Sequence, residues 1–143
     1  MSEGGSQRLA TFSPTGLQVA FVRDNNLFIH DIRFGSERQI TRDGQYNHII
    51  NGAPDWVYEE EFAFNRAFEW AHDGSAIAYI KFDESDVREF QMNMFEGQSP
   101  ALKQNELYPS NYVYKYPKAG EKNSKVSVYV YDVSDRTTTK MDT

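Results

Sequence analysis

The hydrophobic pattern of this chain occurs twice. "FSPTGLQVAFV", starting at Phe12, and "WAHDGSAIAYI", starting at Trp70, each place an aromatic, a polar turn ending in glycine, and a short apolar run. At a constant offset of 58, Gly16 matches Gly74, Val19 matches Ile77, Ala20 matches Ala78, Phe21 matches Tyr79 and Val22 matches Ile80. Glycine supplies the positive φ that such a turn requires. The apolar run is too short for a helix and rich in β-branched and aromatic residues, which predicts a buried strand. A second strand repeats at an offset of 101: "LFIHDI", residues 27–32, and "VYVYDV", residues 128–133, each bring an aspartate, Asp31 or Asp132, after alternating apolar positions. In the first copy the two strands are joined by the polar residues 23–26, which suit a hairpin. In the second copy about 43 further residues lie between them.

Repeated antiparallel meanders predict an all-β fold, a fragment of a β-propeller holding about two four-stranded blades. A β-sandwich is the alternative, but it has no need of two copies in one register. Propeller blades recur every ~40–50 residues, so the offset of 58 implies an insertion between blades at residues 51–65, "NGAPDWVYEEEFAFN". Residues 83–125 form a second insertion, a long inter-strand arm. A closed propeller needs four or more blades, and the chain reaches "KMDT" where another should begin, so it is expected to be part of a larger protein. The Ser-Glu-Gly-Gly-Ser composition of residues 1–10 predicts a flexible lead-in, with the partial propeller over 11–143.

Within the first insertion, Glu59, Glu60 and Glu61 stand in a row among Trp56, Tyr58, Phe62 and Phe64. On a strand, neighbouring side chains point to opposite faces, so Glu60 and Glu61 would not share a ligand. On a helix they diverge by about 100° and both can lean toward one point. Pro54 suits a first helical turn and Asp55 is an acid near the positive end of the helix dipole, which predicts a short helix over 55–62 with Val57, Phe64 and Phe68 near one face. Two carboxylates about 4 Å apart repel by about 4 kcal/mol at an effective dielectric of 20. A primary ammonium between them relieves that repulsion and donates three hydrogen bonds. No third or fourth oxygen ligand is evident, so an amine fits better than a metal, and neither a metal nor another cofactor is expected. The alternative reading of the triplet is a solvated helix face.

Composition narrows the partners. The formal net charge is −6 with a pI near 5.0, and a nucleic-acid surface needs clustered Lys and Arg, so nucleic acid is not an expected partner. Aromatics make up 15% of the chain, which favours strands over disorder. There is no cysteine, hence no disulfide or thiolate chemistry. No apolar run approaches the ~20 residues of a membrane span, and "MSEGGSQRLA" lacks the apolar stretch of a signal peptide.

"NGAPDWVYEEEFAF", followed by "FEWAHDGSAIAYIKFDESDV" and "YKYPKAGEKNSKVSVYVYDV", resembles the dipeptidyl peptidase IV family of the prolyl oligopeptidase clan, from about Thr11 onward. "RAFEWAHDG" is more similar to its bacterial members. The resemblance implies an eight-bladed propeller over a C-terminal α/β-hydrolase domain, together releasing N-terminal dipeptides whose second residue is proline or alanine. It implies that Glu60 and Glu61 bind the substrate α-amine, while Glu59 carries no such role and is solvated or structural. It places the catalytic serine, aspartate and histidine elsewhere in the parent. "GQSPA", residues 97–101, lacks the closing glycine of a nucleophile elbow, and His30, His48 and His72 have no evident Ser and Asp partners. No counterpart of the family's substrate-binding propeller arginine is evident either, so the segment alone is expected to be inactive. The arm, with Phe90, Met92, Met94 and Phe95, falls where family members form a homodimer; a local hairpin on its own blade is the alternative. Trp70 is expected in the core, and Trp56 is expected to pack the insertion onto the propeller. A periplasmic or cell-surface location follows from the resemblance alone. The rival to all of this is a non-catalytic propeller scaffold for protein interactions.

Overall fold

The computed structural model describes residues 6–95 and 107–142. "GQSPA" lies outside the described residues. The chain forms β1 (Arg8–Phe12), β2 (Gln18–Arg23), β3 (Asn26–Asp31), β4 (Ser36–Gln39), β5 (Ile49–Asn51), α1 (Trp56–Phe62), β6 (Phe68–Trp70), β7 (Ala76–Asp83), β8 (Glu89–Met94), β9 (Ser110–Lys115), β10 (Lys125–Asp132) and β11 (Thr138–Lys140). The first sheet runs β1-β2-β3-β4, the second runs β11-β10-β7 with β5 and β6 both on β7, and β8-β9 stand as a separate pair.

The repeat seen in the sequence is a repeat of strand pairing. Phe12↔Val19 in β1–β2 corresponds to Trp70↔Ile77 in β6–β7. Phe21↔Phe28 corresponds to Tyr79↔Tyr129, and Phe28↔Gln39 to Tyr129↔Lys140. The side chains follow. Phe21 and Phe28 stack at 5.4 Å between centroids, and Tyr79 and Tyr129 stack at 5.4 Å. A cation covers each stack, Arg23 at 4.1 Å from the Phe28 ring and Lys81 at 4.9 Å from the Tyr129 ring. The turns match as well: Gly16 N–H donates to Ser13 O and Gly74 N–H to Ala71 O, with both glycines at positive φ. The β2–β3 turn is a two-residue hairpin with Asp24 and Asn25 at φ 49 and 57, the mirror-type turn whose twist suits paired strands. These are two blades of a β-propeller.

The core lies between the blades. Ala20, Val22, Leu27 and Ile29 from the first sheet face Ile50, Phe68, Ile77, Tyr79, Phe82 and Tyr131 from the second. Trp70 is half-buried against this cluster, and its Nε1 donates to Thr11 O across the blades at 3.3 Å. Its repeat partner Phe12 is exposed. Arg38 ties the far edge by donating to Tyr131 Oη and Val133 O at 3.3 and 3.2 Å.

Two expectations need correction. The lead-in expected over residues 1–10 ends early, because β1 begins at Arg8. Its pairing with β2 is irregular, with a register shift between Arg8 and Thr11 and Leu9 at positive φ. Such a bulged edge lacks clean alternation and is hidden in the composition. The glutamate insertion is also not between blades. β5 already pairs with β7, so the insertion interrupts the first strand position of the second blade.

Candidate functional site

β5 and β6 read as one strand with a loop pushed out of it. Ile49↔Asp83, Ile50↔Phe82 and Asn51↔Lys81 are followed on β7 by Phe68↔Tyr79, Glu69↔Ala78 and Trp70↔Ile77. Between them, Gly52 N–H donates to Ile80 O at 3.0 Å and Ile80 N–H donates to Ala67 O at 2.9 Å. Ala67 N–H closes the base onto Gly52 O at 3.0 Å. Residues 53–66 therefore leave and rejoin the sheet at one residue of β7. Gly52 sits at φ 75, and a Cβ there would meet Leu27 Cδ1 at 3.2 Å and Val22 Cγ2 at 3.3 Å.

The loop carries α1. Asp55 caps it, its Oδ1 accepting Tyr58 N–H at 2.9 Å, and Glu59 N–H donates to Asp55 O at 3.1 Å. Ala63 ends the helix in the left-handed region at φ 54. Tyr58 anchors it, with its ring 4.9 Å from Phe82, 5.0 Å from Phe62 and 5.9 Å from Phe64. The expected apolar face is thus partly replaced: Phe68 belongs to β6, and Val57 borders a cleft rather than the core. At about 100° per residue, Glu60 projects between Trp56 and Val57, and Glu61 between Val57 and Tyr58. Glu60 points away from the side on which Tyr58 packs, and Glu61 lies on the flank between that side and Val57. Glu59, Glu60 and Glu61 are exposed, and among the described residues none of the three forms an ion pair.

Glu61 lines an open cleft of about 570 Å³ with Trp56, Val57, Tyr116, Lys118 and Asn123. Its far wall is the return of the arm. Trp56 packs on Tyr116 of that return, 4.5 Å between centroids, and not on the propeller as expected. The arm is held at its base by Tyr46, whose hydroxyl donates to Val113 O at 2.6 Å, and by Asn47, which donates to the same oxygen at 3.3 Å. Burial and the neighbouring Tyr112 push the Tyr46 hydroxyl up to about 12, so it remains a donor. Glu61 at the cleft and the adjacent exposed Glu60, which does not line it, are carboxylates that can receive a primary ammonium by charge-assisted hydrogen bonds.

The whole chain, residues 1–143, matches the family model described as the dipeptidyl peptidase IV (DPP IV) N-terminal region. The chain belongs to that family. It is 49% identical to the crystal structure of Porphyromonas gingivalis dipeptidyl peptidase 4, with a TM-score of 0.90, covering 99% of this chain and 19% of that one. It is 44% identical over 132 residues to a probable dipeptidyl-aminopeptidase B of Podospora anserina, which covers 89% of this chain. The chain spans 14% of that relative's length. A putative dipeptidyl aminopeptidase IV from Bacteroides ovatus, 20% identical with a TM-score of 0.73, shares the fold.

In this DPP IV N-terminal region the three histidines do not converge. His30 lies on β3, His48 in the turn before β5, and His72 is exposed in the β6–β7 turn. Among the described residues no group of His, Asp and Glu could hold a metal, and no helix is long and apolar enough to cross a membrane.

What sequence reasoning missed lies under the helix. Asp55 is 4% exposed, and its Oδ2 accepts the Ser124 hydroxyl at 2.5 Å. Glu84, 6% exposed, comes up beside it, its backbone N–H on His48 O. Burial, and then the Asp55 charge, push the Glu84 carboxyl up to about 7, with Lys115 opposing. Asp55 was readable as a helix-start acid. Its partner lies 69 residues away, and nothing local signals that contact.

Proposed function

We propose that this segment is the substrate-recognition part of a serine-type dipeptidyl peptidase, in which Glu60 and Glu61 bind the free α-amine of a peptide. The observation that carries the reading is the mounting of two adjacent carboxylates on a capped helix, one of which, Glu61, lines a cleft. The ammonium would sit between two acids that otherwise repel, and it would donate to each. Held by its terminus, a peptide presents its second peptide bond at a fixed distance from the anchor. That is orientation rather than bond-breaking chemistry.

The serine, histidine and aspartate of the reaction would come from an α/β-hydrolase domain of the same polypeptide, and the segment alone would not cleave peptides. Release of X-Pro and X-Ala dipeptides is the specificity proposed for the whole enzyme. Its relatives named dipeptidyl peptidase or dipeptidyl-aminopeptidase support this reading. The β8–β9 arm, with Phe90, Met92 and Phe95 exposed and Met94 half-buried, would pair two copies, since Met and Phe suit adaptable interfaces. A periplasmic or cell-surface location of a bacterial enzyme completes the proposal.

The test uses the full-length protein with Glu60→Gln and Glu61→Gln together. Turnover of an unblocked X-Pro substrate should fall by about a hundredfold, the scale of losing a charge-paired contact, with circular dichroism unchanged. Near-normal turnover would remove the clamp from the mechanism.

A further inference from the structure

The helix bearing the glutamates has seven residues, none of them buried. A helix that short does not hold itself in water, so the place of Glu60 and Glu61 depends on the Tyr58 anchor on Phe82 and on ties at its ends. At its N-terminal end the tie is Asp55, whose carboxylate is divided between two donors. Oδ1 takes Tyr58 N–H from the helix, and Oδ2 takes the Ser124 hydroxyl from the returning arm. Ser124 in turn is fixed by the sheet, because the next residue, Lys125, pairs with Asp83 as the first rung between β10 and β7.

We propose that Ser124 is a positioning residue for the amine clamp, acting through Asp55; this rests on the assignment of Glu60 and Glu61 to the substrate amine. The hydroxyl keeps Asp55 turned so that its other oxygen caps the helix. Without it, a buried carboxylate oxygen loses its donor beside the Glu84 carboxyl, and an unsatisfied buried acceptor is strongly disfavoured. The carboxylate then rotates to find water, the cap on Tyr58 N–H loosens, and the first turn frays. Glu60 and Glu61 follow immediately on that turn, since Glu59 N–H closes it onto Asp55 O. The same connection joins the base of the arm to the clamp, alongside the Trp56–Tyr116 contact.

The experiment compares Ser124→Ala and Ser124→Thr in the full-length enzyme. For an unblocked X-Pro substrate, Ser124→Ala should raise KM about fivefold and leave kcat within about twofold, the pattern of weakened ground-state binding. Ser124→Thr, which keeps the hydroxyl, should return KM to near the starting value. A competitive aminoacyl-pyrrolidide should bind Ser124→Ala about fivefold more weakly, while its des-amino counterpart binds unchanged. Equal losses for both inhibitors, an unmoved KM, or no recovery in Ser124→Thr would overturn the positioning role. Intact turnover in the Glu60→Gln, Glu61→Gln enzyme would overturn the clamp and this inference together. Collapse there, with unaltered Ser124→Ala kinetics, would overturn the inference alone.

Discussion

In the first blade β2 passes to β3 through Asp24 and Asn25, whereas in the second the equivalent step from β7 to β10 runs out through the whole β8–β9 arm. In the first blade β1 is a single edge strand. In the second, the corresponding edge is split into β5 and β6, with the glutamate helix between them. The central pairs nevertheless keep the same register, down to the stacked rings and the cation above each. A sheet tolerates such excursions when the hydrogen bonds close on both sides of them, because loop-closure entropy grows only slowly with length. The plain blade supplies packing, and the interrupted one supplies the candidate site. The glutamate insertion leaves the sheet opposite Ile80 and the arm leaves beyond Asp83, further along the same strand, and the two meet at Trp56–Tyr116 and Asp55–Ser124.

The comparison breaks most visibly in the core. Phe82 is fully buried and touches the Tyr58 ring, so Phe82→Ala should lower unfolding free energy by about 3–5 kcal/mol in urea melts. Leu27→Ala in the plain blade should cost a similar about 2–5 kcal/mol. Hydrogen exchange separates them: Phe82→Ala should also expose the Glu59 amide, because the helix loses its anchor, while Leu27→Ala should leave it protected relative to global stability. Equal behaviour at Glu59 would mean that the helix is not held through Tyr58.

A smaller contrast lies in two glycines. Gly52→Ala meets both the left-handed φ and the crowding by Leu27 and Val22, while Gly16→Ala meets the φ with open space around it. The first should cost about 2–3 kcal/mol and the second about 1–2 kcal/mol, measured by the same melts. A reversed order would contradict the closed base of the insertion.

The smallest effect is one of pH. Glu84 has its folded pKa raised from 4.5 to about 7, so folding favours its protonated form. Its stabilising share is full below about pH 4.5 and is lost as pH rises through about 7. Glu84→Gln should flatten that slope, gaining about 1–2 kcal/mol on the parent chain between pH 4 and pH 8. An unchanged slope would place Glu84 in water.

Local signals carried the blades and the helix. The aromatic-turn-glycine-apolar pattern records strand alternation and turn chemistry, both of which act over a few residues. Asp55 and Pro54 announced a helix start for the same reason. Three features stayed hidden because they are long-range pairings. β5 is only Ile49, Ile50 and Asn51, too short to show periodicity, and without it the insertion seemed to lie between blades. β1 begins on an irregular edge at Arg8 whose polar residues resemble a tail. The contact of Asp55 with Ser124 depends on the arm returning to β7, a matter of topology and not of composition. The short helix under the glutamates was legible in the sequence, while the ties that hold it were not.

The return of Ala67 onto Gly52 over Ile80 has a consequence for variation. Since the excursion begins and finishes at one point, its contents can be shortened, lengthened or exchanged with no change in how the flanking strands align. The candidate site and the pairing of the flanking strands are thereby decoupled, and a transplanted segment of unrelated length should be accepted at this junction.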